Sequence, residues 1–436
     1  MRQPTLLSGI PTPPETEFSD CIPPDESPLL NKTTHASSSK QSDLWFYPGE
    51  IANDLQGVDL PAHFIGETLA CAWEYARCVI PEYTNWTRYI AFARIIVIGI
   101  IAEFRGSLVD IAASNRVLGY DVDELLSTLF SGMPIHAAMA REFRAFLLVT
   151  ADKASARRHD SELFHRYVTA IAAGGPRAWF RLRDCDALAR FTIAAALACN
   201  DHDNEWFSGP ELDALTELCD TMYDAVAYYK HRAEGETNST FAYAGADLRA
   251  ESFRTCRELL WQLDVEWAPR SPARRCAVNF MRLFAGPIHA MMRRYRFVED
   301  GLTLGNPETE TVVDQTRQNF KLWNRVDGAA VAGKGEGGKV GWSPAAAERY
   351  ADALRRSDFL MFEGLAELLE ASEAGRCGKC QYKGSYGSEI KGQFGGVRLC
   401  EGCRAEWRSY IQSFPARAAK VFPFLGQRSL VERVDG

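Results

Sequence analysis

From Trp45 to Trp323 apolar residues recur every three or four positions and almost never alternate, so this long middle stretch can bury its apolar side chains only as helices. The clearest runs are Arg88 to Ala113, Asp123 to Phe130, Ile135 to Leu148 and Ala187 to Ala198, all rich in Ala, Leu, Arg and Glu. Start signals agree with them. Asp186 precedes the Ala/Leu-rich run, and Ser208-Gly209-Pro210-Glu211 sets a proline at an early helical position. The fold class expected is all-α, a helical bundle followed by a small cysteine-rich module.

The flanks of this body differ in composition. Residues 1–43 are rich in Pro, Ser and Thr and bury too little apolar surface to offset the entropy of ordering, so a disordered tail is expected. Gly328 to Gly341 is dominated by Gly, Ala and Lys and is expected to be a flexible linker, which confines the body to residues 44–327. Ser343-Pro344 then opens an amphipathic helix expected over 342–373, with Leu354, Phe359, Phe362, Leu365 and Leu369 on one stripe. Residues 374–436 hold the cysteine module and a tail.

With a net charge of -8 the chain is not built to coat nucleic acid or an anionic membrane. Its most apolar run, Ile95 to Ala102, falls far short of the ~20 residues that span a bilayer, so no membrane span is expected. No apolar segment follows a basic start, so a cytoplasmic location is expected, where cysteines stay reduced. Eight of the 12 cysteines are scattered, Cys71, Cys78, Cys199 and Cys219 among them, and read as small hydrophobes.

The other four are ordered. Cys377-x2-Cys380 and Cys400-x2-Cys403 flank nineteen residues, a spacing of zinc ribbons and knuckles. Each CxxC turn aims two thiolates at one ion at ~2.3 Å, and two turns close a tetrahedral site, so the zinc expected here is structural. Gly384, Gly387, Gly392, Gly395 and Gly396 suit a tight hairpin between them. The module is also similar to a GATA-type finger, in its spacing and in Leu399-Cys400-Glu401-Gly402-Cys403 followed by Trp407, with Arg398, Arg404 and Arg408 nearby. Glu389, Glu401 and Glu406 interrupt that basic surface, and nucleic acid is not expected as a partner. A regulatory or scaffold protein that binds DNA or protein through this module is the alternative reading.

Within the body, polar residues gather in two stretches. Asp220, Asp224 and Tyr228 are four apart and share a helix face beside Leu218, Tyr223 and Val226; Lys230, His231, Arg232, Glu234, Glu236 and Asn238 follow. Such an order suits a magnesium–diphosphate site, in which oxygen ligands hold the hard cation and Lys and Arg hold phosphate oxygens. A helix end with ordinary surface ion pairs has the same pattern. The second stretch, Asn279 to Val298, sets Arg282, His289, Arg293, Arg294 and Arg296 among Phe280, Leu283, Phe284, Met291 and Met292. Pro287 is expected to kink it, and its arginines either face an anion or extend to the surface.

An acidic helix face at Asp220 and Asp224 before a late Arg294-Tyr295 pair is similar to the class I terpene synthases. Tyr228-Tyr-Lys-His-Arg-Ala-Glu-Gly-Glu236 and Gly286-Pro-Ile-His-Ala-Met-Met-Arg-Arg-Tyr295 more closely resemble the fungal α-ionylideneethane synthases, sesquiterpene cyclases of abscisic acid pathways. The resemblance covers residues 60–325. It implies a terpenoid-synthase-like helical bundle, a lyase that takes an isoprenyl diphosphate (farnesyl diphosphate) as its small-molecule substrate, and magnesium as cofactor. Carried onto this chain, it implies Asp224, Tyr228, Arg232, Arg294 and Tyr295 as catalytic. It puts Lys230, Arg232, His289, Arg293 and Arg294 on the diphosphate, and Asp220, Asp224 and Glu103 on the magnesium. Trp86, Tyr89, Phe92, Phe191, Tyr223 and Phe241 are candidates for an aromatic pocket around a carbocation, or simply core. Departures are plain: no Asp-Asp-x-x-Asp stands on the early helix, where only Glu103 and Asp110 flank Arg105, and Tyr228 takes the third place of the usual Asn/Ser/Glu triad.

Two other patterns carry less. Asp201 and Asp203 form a carboxylate pair expected in a surface loop, and Glu162-x-x-His165 has the spacing of di-iron bundles without a second copy.

Overall fold

Six of the described helices begin where the sequence supplies a side-chain cap. The computed structural model describes residues 45–228, 231–232, 237–291, 342–382 and 394–426. In chain order the first are α1 (Ala62–Val79) and α2 (Trp86–Phe104), the latter capped by the Asn85 side chain. Next come α3 (Val122–Phe130), capped by Asp121, then α4 (His136–Lys153) and α5 (Glu162–Ala173), the last capped by Ser161. α6 (Gly175–Ala187) and α7 (Ala189–Ala198) follow, then α8 (Gly209–Val226), which opens on a reciprocal Ser208/Glu211 capping box. α9 (Thr240–Ala244), α10 (Arg249–Trp267), α11 (Pro272–Phe284) and α12 (Ile288–Met291) complete the body. Beyond it lie α13 (Pro344–Arg355), α14 (Ser357–Leu360), α15 (Leu365–Glu370), α16 (Glu401–Gln412) and α17 (Phe414–Val421). The strands described are two-residue antiparallel pairs: β1 (Arg116–Val117) with β2 (Tyr120–Asp121), and β3 (Gln381–Tyr382) with β4 (Val397–Arg398). The fold is all-α.

α2 is the central helix because it is apolar on every side; Tyr89, Phe92, Ile95, Val97, Ile98 and Ile101 are fully buried. It packs on α1, α3 and α4, while α8 packs on α6, α7, α10 and α11. No helix among the described residues is long and apolar enough to cross a membrane. The C-terminal helices lie against the body, α13 and α15 on α5, α14 on α4, α16 on α6 and α9, and α17 on α8 and α10.

The departures from sequence patterning have local causes. The helix expected over 88–113 stops at Phe104, because the chain turns so that Gly106 can meet α4; a Cβ at Gly106 would stand 2.1 Å from the Ala151 carbonyl oxygen. Asp186 does not start α7 but lies inside α6; the break falls at Leu188, which adopts a left-handed φ of 52°. There the Asp184 carboxylate accepts the backbone N–H of Arg190 at 2.9 Å and so caps α7 from the preceding helix. Pro287 does more than kink: α11 ends at Phe284 and α12 starts at Ile288. The single helix expected over 342–373 is three short ones, since Met361 is extended, Phe362 follows it into the core and Gly364 is left-handed at φ 90°. The tail at 1–43 and the linker at 328–341 lie outside the described residues.

Gly106→Ala should destabilise the protein by about 3 kcal/mol, the scale of overpacking against backbone that cannot retreat, read as a lower urea midpoint. An unchanged midpoint would mean the α2–α4 approach is looser than described.

Candidate active site

The site is built from two packed helices that carry buried charge. α6 has Arg181, Arg183, Asp184 and Asp186 within six positions, too many charges for all to reach water. α8 brings Asp220 and Asp224, both with no exposed surface. Arg183 joins the helices: its Nη2 and Nε donate to Asp224 Oδ1 at 2.8 and 3.3 Å, and its Nη1 donates to Asp186 at 3.2 Å. The other oxygen of Asp224 accepts the backbone N–H and the hydroxyl of Thr240, at 2.7 and 2.8 Å. One carboxylate thereby ties α6, α8 and α9 together.

Burial pulls the Arg183 guanidinium toward neutrality, but Asp224, Asp220 and Asp186 outweigh it and hold it charged. Burial pushes the Asp224 carboxyl above its ordinary range, against the pull of Arg183 and the Thr240 bonds. Lys153 donates to Asp186 at 3.2 Å. Arg181 pairs with Glu142 and Arg190 with Asp184, which closes a neighbouring network.

Asp220 is different. Both of its carboxyl oxygens are buried and neither has a hydrogen-bond partner among the described residues. Burial raises its pKa well above the carboxylate range; Arg183 pulls it down, and Asp184, Asp224 and Asp186 push it up. The orphaned oxygens of Asp220 fit a hard cation with oxygen ligands. Further along the described chain, the consecutive residues Thr237, Asn238 and Ser239 each bury a polar atom, Oγ1, Nδ2 and Oγ, without a hydrogen-bond partner among the described residues.

Tyr223 lines this group on its aromatic side. Its ring stacks on Phe284 with centroids 4.6 Å apart, and His289 lies at 4.6 Å and His231 at 5.9 Å. The His231 Nδ1 stands 3.8 Å from Asp224. The structure therefore brings Asp220, Asp224, His231 and His289 together. Tyr228 is beyond the end of α8, which stops at Val226, so it does not continue the Asp220/Asp224 face; its ring meets Phe394 and the guanidinium groups of Arg232 and Arg249. Glu103 sits near the end of α2, whose main partners are α1, α3 and α4 rather than α8. Lys230, Arg293, Arg294 and Tyr295 lie outside the described residues.

Other candidates have structural partners. Asp110 accepts from Arg349 at 2.9 and 3.0 Å. Asp201 accepts from Asn85 and Thr84, and Asp203 pairs with Arg88, so this pair ties the 201–203 turn to the start of α2. Glu162 pairs with Arg166 and His165 lies 3.6 Å from Glu373, so they do not converge on a metal. Arg282 pairs with Asp264 at the surface. The candidate aromatics are dispersed: Trp86 and Tyr89 cluster with Trp73 and Tyr83, and Phe191 with Phe130 and Phe143. Arg183 and Thr240 were not singled out by the sequence. The crowded charges of α6 were the available signal.

At the C-terminus, Cys377, Cys380, Cys400 and Cys403 place their four sulfurs within 4.8 Å of one another, with Cys377 and Cys400 3.9 Å apart. A tetrahedron of sulfurs at ~2.3 Å from one ion has edges of about 3.8 Å, so the group fits a metal ion. The Cys400 N–H donates to the Cys380 sulfur at 3.2 Å. The Lys379 backbone N–H and then the Cys403 thiol bring the Cys377 thiol down to about 7, toward the thiolate a metal needs. Trp407 is buried against Tyr243 and Trp179 of the body.

The family model described as Alpha-ionylideneethane synthase aba3 matches residues 43–424. An Alpha-ionylideneethane synthase aba3 of Botryotinia fuckeliana (strain B05.10) is 58% identical over 405 residues, which are 92% of this chain and 89% of that protein. An Alpha-ionylideneethane synthase abl3 of Leptosphaeria maculans is 55% identical over 384 residues, 88% and 86% of the two chains. One of Pyricularia oryzae is 49% identical over 434 residues, 88% and 83%. An all-α chain with a buried acid–arginine site and synthases as its relatives is an enzyme. It belongs to the α-ionylideneethane synthase family.

Arg183→Met leaves Asp224 buried without its cation and should cost about 3–5 kcal/mol in urea unfolding. A loss below about 1 kcal/mol would show that the pair does not hold α6 to α8. Asp220→Asn should do the opposite in metal-free protein. Because the folded-state pKa of Asp220 is raised, ionising it opposes folding. The stability gain of the asparagine should be absent below about pH 4, grow as pH rises toward the raised value and level off above it. A Tm difference between variant and wild type that shrinks with rising pH would contradict this.

Proposed function

We propose that this enzyme ionises farnesyl diphosphate with magnesium and turns it into a sesquiterpene hydrocarbon of the α-ionylideneethane type, in the cytoplasm, as part of abscisic acid or related sesquiterpenoid synthesis. Membership of a family whose named members are α-ionylideneethane synthases supports the reaction. The observation that carries the site is the fully buried Asp220, whose two oxygens lack hydrogen-bond partners among the described residues, beside Asp224 and Arg183. The seven buried thiols among the free cysteines agree with a reducing compartment.

In this reading Asp220 and Asp224 hold magnesium. When bound, the ion supplies Lewis acidity at the leaving diphosphate. Arg183 fixes Asp224 in orientation and favours its charged form against the effect of burial. Lys230, Arg232, His289, Arg293 and Arg294 take the negative charge of the leaving diphosphate. Tyr223 excludes water and presents an aromatic face to the cationic intermediate, and Tyr228 and Tyr295 serve as catalytic residues. Residues 44–327 form the catalytic body, and the four cysteines of the 374–436 module hold a structural zinc.

Purified protein incubated with farnesyl diphosphate and magnesium should release an extractable sesquiterpene hydrocarbon, detected by gas chromatography and mass spectrometry. Asp224→Asn should lower turnover by at least roughly 100-fold while far-UV circular dichroism is retained. Full turnover by Asp224→Asn, or release of farnesol alone by the wild type, would overturn the reading.

A further inference from the structure

The zinc module touches the body at one segment in particular, residues 237–247, which leads from the site to α10. On its inner side this segment is held by Asp224, through the N–H and hydroxyl of Thr240. On its outer side it is held by the cysteine module. Gly396, one residue before β4, is left-handed at φ 81°, and a Cβ there would stand 2.6 Å from Thr237 Cγ2. The Trp407 ring stacks on Tyr243 of α9 at 4.6 Å, with an interplanar angle of 23°. Arg408 donates to the Ala244 carbonyl at 3.2 Å and to both oxygens of Asp247 at 2.9 and 2.8 Å. Phe394 packs edge-on against Tyr228 at 5.2 Å. Phe394 and Gly396 precede Cys400, and Trp407 and Arg408 follow Cys403, so all four contacts radiate from one metal-ligand pair.

α9 is one helical turn and cannot hold its own shape in water. Its position therefore comes from what grips it on either side.

We propose that the four-cysteine module is a positioning element of the active site: through Gly396, Trp407 and Arg408 it clamps residues 237–247, so that Thr240 meets Asp224 and Asn238 and Ser239 are presented beside it. The module thus sets the geometry of the chemistry and is more than a brace on stability. The occupancy of the cysteines rests on the zinc reading above, and the kinetic arm of the test rests on the proposed reaction; the exchange arm depends on neither.

The test uses three variants of the full chain: Cys400→Ser/Cys403→Ser, Gly396→Val, and Arg417→Met. Arg417 anchors α17 to Glu217 and to Tyr410 of α16 rather than to residues 237–247, and serves as a matched loss of C-terminal anchorage. Wild type should carry about one zinc per chain, and cobalt exchanged into it should show thiolate charge-transfer absorption. The double serine variant should lose both signals, Gly396→Val should keep both, and Arg417→Met should keep both. In hydrogen exchange, amides 239–245 should exchange at least roughly tenfold faster in the first two variants and as in wild type in Arg417→Met. With farnesyl diphosphate, kcat should fall at least roughly tenfold in the first two with a smaller change in KM, while Arg417→Met keeps its kcat despite a lower Tm. Unchanged exchange at 239–245 in Gly396→Val overturns the proposal, as does an Arg417→Met variant that loses kcat in step with the others. If the serine variant does not fold, Gly396→Val alone decides. Faster exchange in a protein that makes no terpene at all would sink the proposed reaction and leave the positioning role standing.

Discussion

The Arg183–Asp224 pair is the contact on which the site depends. Without it α6 and α8 would meet with the buried Asp184, Asp220 and Asp224 and the half-buried Asp186 near one another, and like charges at that depth drive helices apart. With it, one guanidinium spans Asp186 and Asp224 and leaves Asp224 an oxygen for Thr240. The planar fork of arginine suits this bridging, which a lysine would satisfy on one side only. The arrangement of α6, α8 and α9 follows from that geometry, and Tyr223, His231 and His289 are gathered around it.

The same bridge explains how distant parts of the chain come to matter at one place. α9 starts with Thr240, which belongs to the site, and ends with Ala244, which belongs to the interface with α16. A five-residue helix has few internal hydrogen bonds, so its two ends move as one only when both are held. The aromatic packing of Trp179, Tyr243 and Trp407 adds a shared wall, since Trp179 is on α6, the helix that also carries Arg183. The C-terminal module is thereby packed against both helical partners of the site.

How much of this was legible in the sequence divides along physical lines. The helix start at Ser208-Gly209-Pro210-Glu211 and the paired CxxC turns are local signals, and each is present in the structure where the local pattern put it. Asp220 and Asp224 were legible as one helix face because their spacing alone fixes it. Tyr228 was not, because α8 ends at Val226. Arg183 was hidden for a tertiary reason. Read alone, α6 is a charged amphipathic helix, and only the approach of α8 turns one of its arginines inward. Asp186 resembled a helix cap, yet the αL residue that breaks the helix is Leu188, which no side-chain preference announces.

A comparison among buried acids shows why Asp220 stands apart. Asp152 is fully buried but accepts from Arg157 at 2.8 Å and from Ser161 at 2.7 Å. Glu217 is met by Arg417 and Tyr410, Asp184 by Arg190 and the Arg190 backbone, and Asp224 by Arg183 and Thr240. The chain plainly has the means to satisfy a buried carboxylate, and it does so repeatedly, even across 200 positions from Glu217 to Arg417. Among the described buried acids, Asp220 is the one with both oxygens unmet. A fold that needed only packing at this position would be served better by leucine or asparagine. An acid kept there unsatisfied, one turn from a carboxylate already locked in place, is spent on something other than stability.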